Sequence, residues 1–355
     1  MIAIVNNHPP PSAICRYAEN LYSSFCPNAS LFNVILHRSQ ESLDYLGHKI
    51  TGIHFPSLRI EGAMNYLLYP HFLTKIHHAI CEHVDDLLIH IVSPDIPPMH
   101  HSGPSAVTIH DNPLMSLKTD LYNFPIGYVS IVKRNFRLFE REHYSVTVSS
   151  EYVKKGLEDF GFSEKIFVVP HPVRPIFKPP SSSDKTNSKI DLGLPLDKKL
   201  VLSVSSGIKR KNIQILSSVM DNLGSEYRLV RVGPAVGNSI TYSSVKDVTL
   251  KKLYNACDVL ISPSLEEGFD IPVIEALASG LPVVASDIGV HRETAEGCAI
   301  FADPQDARAL SRAVIESIGA LDDLRFKGLK RAEFYSMAKF TQNMTKFYAQ
   351  LRILV

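Results

Sequence analysis

The chain holds 355 residues, with 37 Lys and Arg against 36 Asp and Glu, a formal net charge of +1. A single hydrophobic core stops growing at about 250–300 residues, so two domains are expected. An apolar share of 45% with 21% charged residues excludes wholesale disorder and a coiled coil, and the balanced charge argues against a dedicated nucleic-acid binder.

The opening, Met1-Ile-Ala-Ile-Val-Asn6, reads as a first strand and not as a leader segment. No apolar run reaches the ~20 residues that span a bilayer. Further strands are predicted at Leu87–Val92, Ala106–Ile109, Ser145–Val148 and Ile166–Val169, after a first one at Ile2–Val5. Between them, 126–143 carries Lys133, Arg134, Arg137 and Arg141 among apolar residues. Such a basic amphipathic helix suits peripheral contact with an anionic membrane, or an ordinary solvated face. Then comes Phe177-Lys-Pro-Pro-Ser-Ser-Ser-Asp-Lys-Thr-Asn-Ser-Lys189, polar and Pro/Ser-rich, which reads as a linker over 179–198. Beyond it, strands are predicted at Leu200–Val204, Arg228–Val232, Val259–Ser262, Pro282–Ala285 and Ala299–Phe301. Two stripes, Ile213/Leu216/Val219/Met220/Leu223 before Gly224 and Ala307/Leu310/Val314/Ile318, read as helices, as does 333–351 with Phe340, Met344, Phe347 and Leu351. Strand–helix alternation implies an open parallel sheet in each half, with ligands held in a cleft at the C-terminal strand edges.

The five cysteines, Cys15, Cys26, Cys81, Cys257 and Cys298, are scattered without a CxxC pair and read as separate reduced thiols of a cytoplasmic protein. The neighbouring pairs His77-His78 and His100-His101 do not share a helix face, and no HExxH occurs, so neither a metal nor another cofactor is expected.

The most informative stretch runs from Ser262 to Gly280, Ser-Pro-Ser-Leu-Glu-Glu-Gly-Phe-Asp-Ile-Pro-Val-Ile-Glu-Ala-Leu-Ala-Ser-Gly. A strand ends, a tight turn follows at Gly268, and a helix starts near Ile271 with Pro272 where its missing N–H is harmless. The amides of Phe269, Asp270 and Ile271 then form a helix N-terminus suited to a phosphate or diphosphate. Glu267 and Glu275 flank it; carboxylates beside a phosphate site are best aimed at hydroxyls, a ribose diol for one and a sugar ring for the other. Both could instead serve as dipole-stabilising acids. A second constellation, Ser205-Ser-Gly207-Ile-Lys-Arg-Lys-Asn212, puts three adjacent cations after a strand, a counter-charge for a diphosphate or a solvated basic turn. A third, Thr108-Ile-His110-Asp111, puts a histidine at a strand's C-terminal edge.

Together these residues resemble family 4 of the retaining glycosyltransferases. Residues 263–286 are similar to the family's paired-Glu (E-x7-E) signature with its flanks, Leu253-Tyr-Asn-Ala-Cys-Asp-Val-Leu-Ile and Glu293 to Pro304 fit its neighbouring segments, and Arg210-Lys211-Asn212 resembles its basic donor-phosphate motif. The resemblance covers about residues 100–350 and implies the GT-B fold, two Rossmann-like doubly wound domains facing across a cleft: 1–178 on the acceptor side, with the C-terminal helix 337–355 packing back on it, and 199–336 binding a nucleotide-sugar. It implies transfer of a hexose-type sugar, with retention and without a metal, from a nucleotide-diphosphate sugar to a glycan or lipid-linked acceptor. Glu275 would hold the ribose diol and Glu267 the donor sugar, with Arg210, Lys211 and the amides of Gly268 to Ile271 on the diphosphate. Gly207 lines the same turn, the base lies near Tyr242, Ser243 and Val245, and His110 closes over the donor sugar.

Three departures stand out. Ser12-Ala-Ile-Cys-Arg-Tyr17 lacks the glycines common in the turn after the first strand, and its Cβ atoms limit close backbone approach; Arg16 is expected to reach the cleft. Asp270 stands where Gly is commoner and is expected to turn outwards or meet a sugar hydroxyl. His171-Pro172 replaces a common Asn-Gly at the domain junction. Competing readings are a sugar-nucleotide epimerase or hydrolase of the same fold, or an inactive binding protein. A dinucleotide oxidoreductase is disfavoured, because no G-x-G-x-x-G follows strand 2–5 or strand 200–204.

Overall fold

The computed structural model describes residues 2–6, 12–26, 29–33, 88–96, 98, 103–112, 128–162, 165–181 and 184–353. The chain divides into two compact units, Met1–Pro170 with Phe340–Val355, and His171–Lys339.

The first unit contains β1 (Ile2–Asn6), α1 (Ala13–Phe25), β2 (Ala29–Asn33), β3 (Leu88–Ile91), β4 (Ser105–Ile109), α2 (Tyr128–Arg141), β5 (Ser145–Val148), α3 (Glu151–Asp159) and β6 (Ile166–Val168). The strands form one parallel sheet in the order β2-β1-β3-β4-β5-β6. Successive side chains leave a strand on opposite faces, and both faces are covered. Ile2 and Ile4 bury against Tyr17, Leu21, Phe340, Met344, Phe347 and Leu351, while Val5 buries with Phe136, Phe139 and Leu157. The last helix, Met337–Ile353, thus sets its apolar stripe on the first unit's sheet.

The second unit contains α4 (Asp184–Asp191), β7 (Lys199–Val204), a 3-10 turn Lys209–Lys211, α5 (Ile215–Leu223), β8 (Tyr227–Val232), β9 (Ile240–Tyr242), α6 (Asp247–Ala256), β10 (Val259–Ser262), α7 (Ile271–Ala278), β11 (Val283–Ser286), α8 (Gly289–Ala295), β12 (Ile300–Ala302), α9 (Ala307–Gly319) and α10 (Leu321–Ala332). Its parallel sheet runs β12-β11-β10-β7-β8-β9. Leu200, Leu202 and Leu260 pack on one face, Val201, Val259 and Ile261 on the other.

Three expectations need correcting. The stretch read as a linker over 179–198 is part of the second unit and carries α4. Ion pairs take the place of the missing large apolar residues there: Lys185 Nζ lies 2.6 Å from Asp258 Oδ1, Lys252 Nζ lies 2.7 Å from Asp191, and the Leu200 amide donates to the second Asp258 oxygen. Phe177 and Leu194 join the core on either side. The segment 12–17 is no turn: Ser12 caps α1 by accepting from the Cys15 amide, so the Cβ atoms of Ala13 and Cys15 sit in helical backbone that tolerates them. Two strands were missed, β2 and β9, both at sheet edges, where a strand buries less apolar surface and its sequence signal is weak.

Candidate functional site

The polar side chains of the second unit gather at the end of its sheet. From β7 the chain proceeds to β8 and β9 on one side, and β10, β11 and β12 lie on the other, so β7 and β10 flank the point where strand order reverses. Loops leaving a doubly wound sheet there splay apart and make the ligand crevice. The loops after β7 and β10 are those holding the cations and the acids, and they are stitched together where the Leu265 amide donates to the Arg210 carbonyl at 2.8 Å.

Glu267 is the hub. Its Oε1 accepts from Lys211 Nζ at 2.5 Å and from Ser264 Oγ at 2.7 Å, and its Oε2 from Arg210 Nη1 at 3.2 Å. Glu267 is 4% exposed, whereas both cations are half-buried. The residue after Lys211, Asn212, takes a left-handed conformation (φ 51°), and its side-chain amide donates to the carbonyls of Pro263 and Pro304, tying the cationic turn to the loops after β10 and β12.

The helix α7 begins as expected, with Pro272 in its first turn, and Gly280 (φ 68°) follows its end. The first amides of any helix lack intrahelical partners and carry the positive end of its dipole. Phe269 precedes the N-cap residue Asp270, and its ring is packed between His171 and Tyr335, with centroids 5.3 and 5.4 Å away. Thr294 Oγ1 donates to the Phe269 carbonyl at 3.0 Å and steadies the same turn.

Asp270 does not turn outwards. It sits at φ 67° before α7 and buries its carboxylate, with Oδ2 accepting from Ser262 Oγ at 2.5 Å and from His291 Nε2 at 2.9 Å. Two donors inside the unit hold it better than solvent can once the chain has turned left-handed. Desolvation pushes the Asp270 pKa up, but His291, Lys211 and Ser262 outweigh it and hold the carboxyl below its usual range. Burial likewise pushes His291 down, and Asp270, with Glu267 in support, reverses this and raises it above its ordinary 6.5.

Glu275 lies in α7, buried. Its Oε2 accepts from Tyr254 Oη at 2.9 Å, and Arg174, which also pairs with Asp247, lies 3.9 Å from its Oε1. In the loop after β7, Gly207 is exposed, and an added Cβ would meet Pro234 Cγ at 2.9 Å. Beneath this loop Arg231 is fully buried, donating to Ser203 Oγ, Ser205 Oγ and the carbonyls of Ser205 and Pro234. Burial lowers its pKa to about 10. Of the residues expected near a base, Ser243 is exposed and Val245 half-buried. Tyr242 spends its carbonyl on the Gly233 amide, and its hydroxyl donates to the Leu192 carbonyl, so its part in reading a base is weakened.

The structure therefore brings Arg210, Lys211 and Glu267 together beside Gly268–Ile271, with Glu275 in the following helix. Arg16 and His110 belong to the first unit. Arg16 is half-buried in α1, and His110 Nε2 bonds the Val92 carbonyl at 2.7 Å with its ring edge-on to Tyr17. Arg231, His291, Tyr254 and Arg174 escaped the sequence reading. An arginine between Val230 and Val232 inside an apolar strand was a usable signal; the His291 contact, 21 residues from Asp270, left none. Among the described residues no three His, Cys, Asp or Glu side chains group as a metal site, and no helix is long and apolar enough to cross a membrane. His77, His78, Cys81, His100 and His101 lie outside the described residues; Cys15, Cys26, Cys257 and Cys298 are free thiols. Lys133, Arg134, Arg137 and Arg141 are all exposed on α2.

Residues 198–319 match the model of the glycosyl transferases group 1 family. The O-antigen chain mannosyltransferase RfbU of Salmonella typhimurium is 39% identical over 97 residues, 26% of this chain and 27% of that protein. The MMP alpha-(1->4)-mannosyltransferase of Mycolicibacterium hassiacum is 28% identical over 214 residues, 57% of this chain and 51% of that protein. The chain thus matches from about a quarter to half the length of these curated relatives. Among solved structures, sucrose-phosphate synthase from Thermosynechococcus elongatus superposes with a TM-score of 0.81 at 19% identity, covering 100% of this chain and 99% of that one. Alr3699/HepE of Anabaena, solved with UDP and glucose, gives 0.78 at 16% identity, covering 98% and 99%. The chain has the GT-B fold, and residues 198–319 of its second unit are similar to the group 1 glycosyl transferases.

Proposed function

We propose that the protein is a glycosyltransferase of the cytoplasm that moves a hexose-type sugar, with retention, from a nucleotide-diphosphate sugar to a hydroxyl of a glycan or lipid-linked glycan. The observation that carries this reading is the clasp of Glu267 by Lys211 and Arg210 at 2.5 and 3.2 Å, beside the N-terminus of α7 at the sheet's switch point. Cations, helix amides and an acid at one crevice match the three parts of such a donor: diphosphate, its developing charge, and sugar hydroxyls. Relatives that transfer mannose, and a structural neighbour solved with UDP and glucose, support the donor class.

As the bond to the anomeric carbon breaks, negative charge grows on the leaving diphosphate. Arg210, Lys211 and the α7 amides stabilise it where they already stand. Glu267 orients sugar hydroxyls and is no nucleophile; the leaving phosphate takes the acceptor proton on the same face. Glu275, fixed by Tyr254, holds the ribose diol. No step is assigned to a metal, so transfer should persist in chelator. The exposed cations of α2 supply the charge by which that face would meet an anionic membrane, and liposome flotation measures it.

The test is a thermal-shift panel of UDP-, GDP-, ADP- and dTDP-sugars. A donor at a hundredfold excess over its Kd should add about 2.7 kcal/mol of stability. The reading fails if no member of the panel raises the melting temperature.

A further inference from the structure

We infer that His291 is a positioning residue of the donor turn: through Asp270 it locks residues 267–271 in the backbone form that receives the anionic part of the donor. The inference rests on the site reading above and extends it to a side chain that touches no substrate.

Asp270 occupies a left-handed conformation, φ 67° and ψ 74°, that L-residues with a Cβ avoid. It makes no capping bond to α7 with its side chain. Something else must hold it, and the structure supplies a chain of bonds. Ser262 Oγ at the end of β10 donates to Asp270 Oδ2 at 2.5 Å, His291 Nε2 on α8 lies 2.9 Å from the same oxygen, and His291 Nδ1 lies 2.9 Å from the Ser286 carbonyl at the end of β11. Both ring nitrogens of the imidazole meet acceptors, so only the doubly protonated ring donates to both. The His291 and Asp270 side chains are 0% and 2% exposed, leaving no water to replace a lost bond.

The pair is coupled to the site by charge. Asp270 feels Lys211 as well as His291, and His291 feels Glu267 as well as Asp270. Once His291 loses its proton, either the Ser286 carbonyl keeps only the Ile288 amide as donor or the Asp270 carboxylate keeps only Ser262 Oγ. The turn that carries Glu267 and the α7 amides then loses one of its anchors, with Ser262 and Thr294 remaining, and Asp270 adds an uncompensated negative charge near Lys211. Because the His291 pKa is raised, this happens on the alkaline side of 6.5. The interaction is fully present below that value and is lost as pH rises through the raised one.

The experiment titrates the nucleoside diphosphate of the donor selected by the panel against wild type, His291→Leu, Asp270→Gly and the double variant, from about pH 7 to about pH 9, above the second phosphate ionisation. Wild type should weaken by about tenfold or more as pH rises. His291→Leu should bind at least about tenfold more weakly at pH 7 and lack the alkaline loss, since small displacements of site groups cost up to about 100-fold. The double variant, with a glycine that adopts positive φ freely, should recover most of the affinity lost in His291→Leu and show no alkaline loss. A pH-independent wild type, or a double variant as weak as His291→Leu, overturns the inference while leaving the donor site standing. A wild type that binds no nucleoside diphosphate overturns the donor site and this inference together. If His291→Leu does not fold, the wild-type pH profile and the double variant still decide.

Discussion

Replacing Glu267 by Gln removes one negative charge and changes little in shape. Glu267 now accepts three hydrogen bonds, from Lys211, Ser264 and Arg210, in a place only 4% exposed. A glutamine accepts at its oxygen, but its amide nitrogen must face a cation as a donor, costing about 1–3 kcal/mol of stability. A typical domain has 5–15 kcal/mol, so the variant should fold. Its effect on ligands splits by charge. Without the carboxylate, Arg210 and Lys211 meet a diphosphate with one more uncompensated positive charge. At ~5 Å and an effective dielectric constant of about 20 a unit charge is worth about 3 kcal/mol. Screening at a crevice open to water halves this, leaving roughly tenfold tighter binding of the free nucleoside diphosphate. Transfer should move the other way, down by about 10²–10³, because the sugar loses its oriented acceptor. Calorimetric titration gives the first number and a transfer assay at saturating donor the second. Weaker diphosphate binding together with an undiminished transfer rate would refute both the charge argument and the role of Glu267.

Lys211→Ala should lower transfer by about 10²–10³ with little loss of melting temperature, since Arg210 and Ser264 still hold Glu267; an equal fall in stability and rate would make Lys211 a merely structural residue. Gly233→Ala should destabilise the second unit by about 3 kcal/mol or more, read as a drop in melting temperature, because φ is +125° there and a Cβ would lie 2.0 Å from the Ser205 carbonyl oxygen. In the first unit, His90 is buried against Tyr348 and Thr108 hydroxyls at 2.7 Å, and desolvation, with His110, lowers its pKa to about 3. The unfolded chain then binds a proton below about 6.5 that the folded chain refuses, so stability is full above that pH and falls as pH drops, by at most about 1.4 kcal/mol per pH unit. Thermal melts across that window check it, and His90→Gln should flatten the slope.

Strands with continuous apolar runs were legible because burial on both faces leaves no alternating pattern to misread: Val259–Ser262 and Ser145–Val148 emerge with the boundaries expected. Helix α7 was legible from Pro272 and Gly280, two residues whose backbone chemistry allows few other places. What failed depends on contacts far apart in sequence. The stretch around Lys185 looks like a linker until Asp258, 73 residues on, neutralises it. Asp270 looks like a solvent-facing acid until His291 is known to lie beneath it. The clasp on Glu267 joins residues 56 and 57 positions apart; its members were legible as types, and their meeting was not.

The placement of buried charge carries more weight than its amount. Buried ion pairs are poor stabilisers, and apolar residues of similar volume often do better. A sequence shaped by stability alone would fill such positions with Leu or Met. In the second unit the strand interiors follow that rule: Leu200, Val201, Leu202, Val259, Leu260 and Ile261 are fully buried and apolar. Arg231 departs from it in β8, and its guanidinium reaches the Ser205 loop. The Lys211–Glu267–Arg210 clasp and the Asp270–His291 pair lie just past the ends of β7 and β10 or are anchored on the last residue of β11. Three costly arrangements at the C-terminal rim of one sheet fit the preorganised anion and sugar site proposed above, whose donors and charges must stand in place before the ligand arrives.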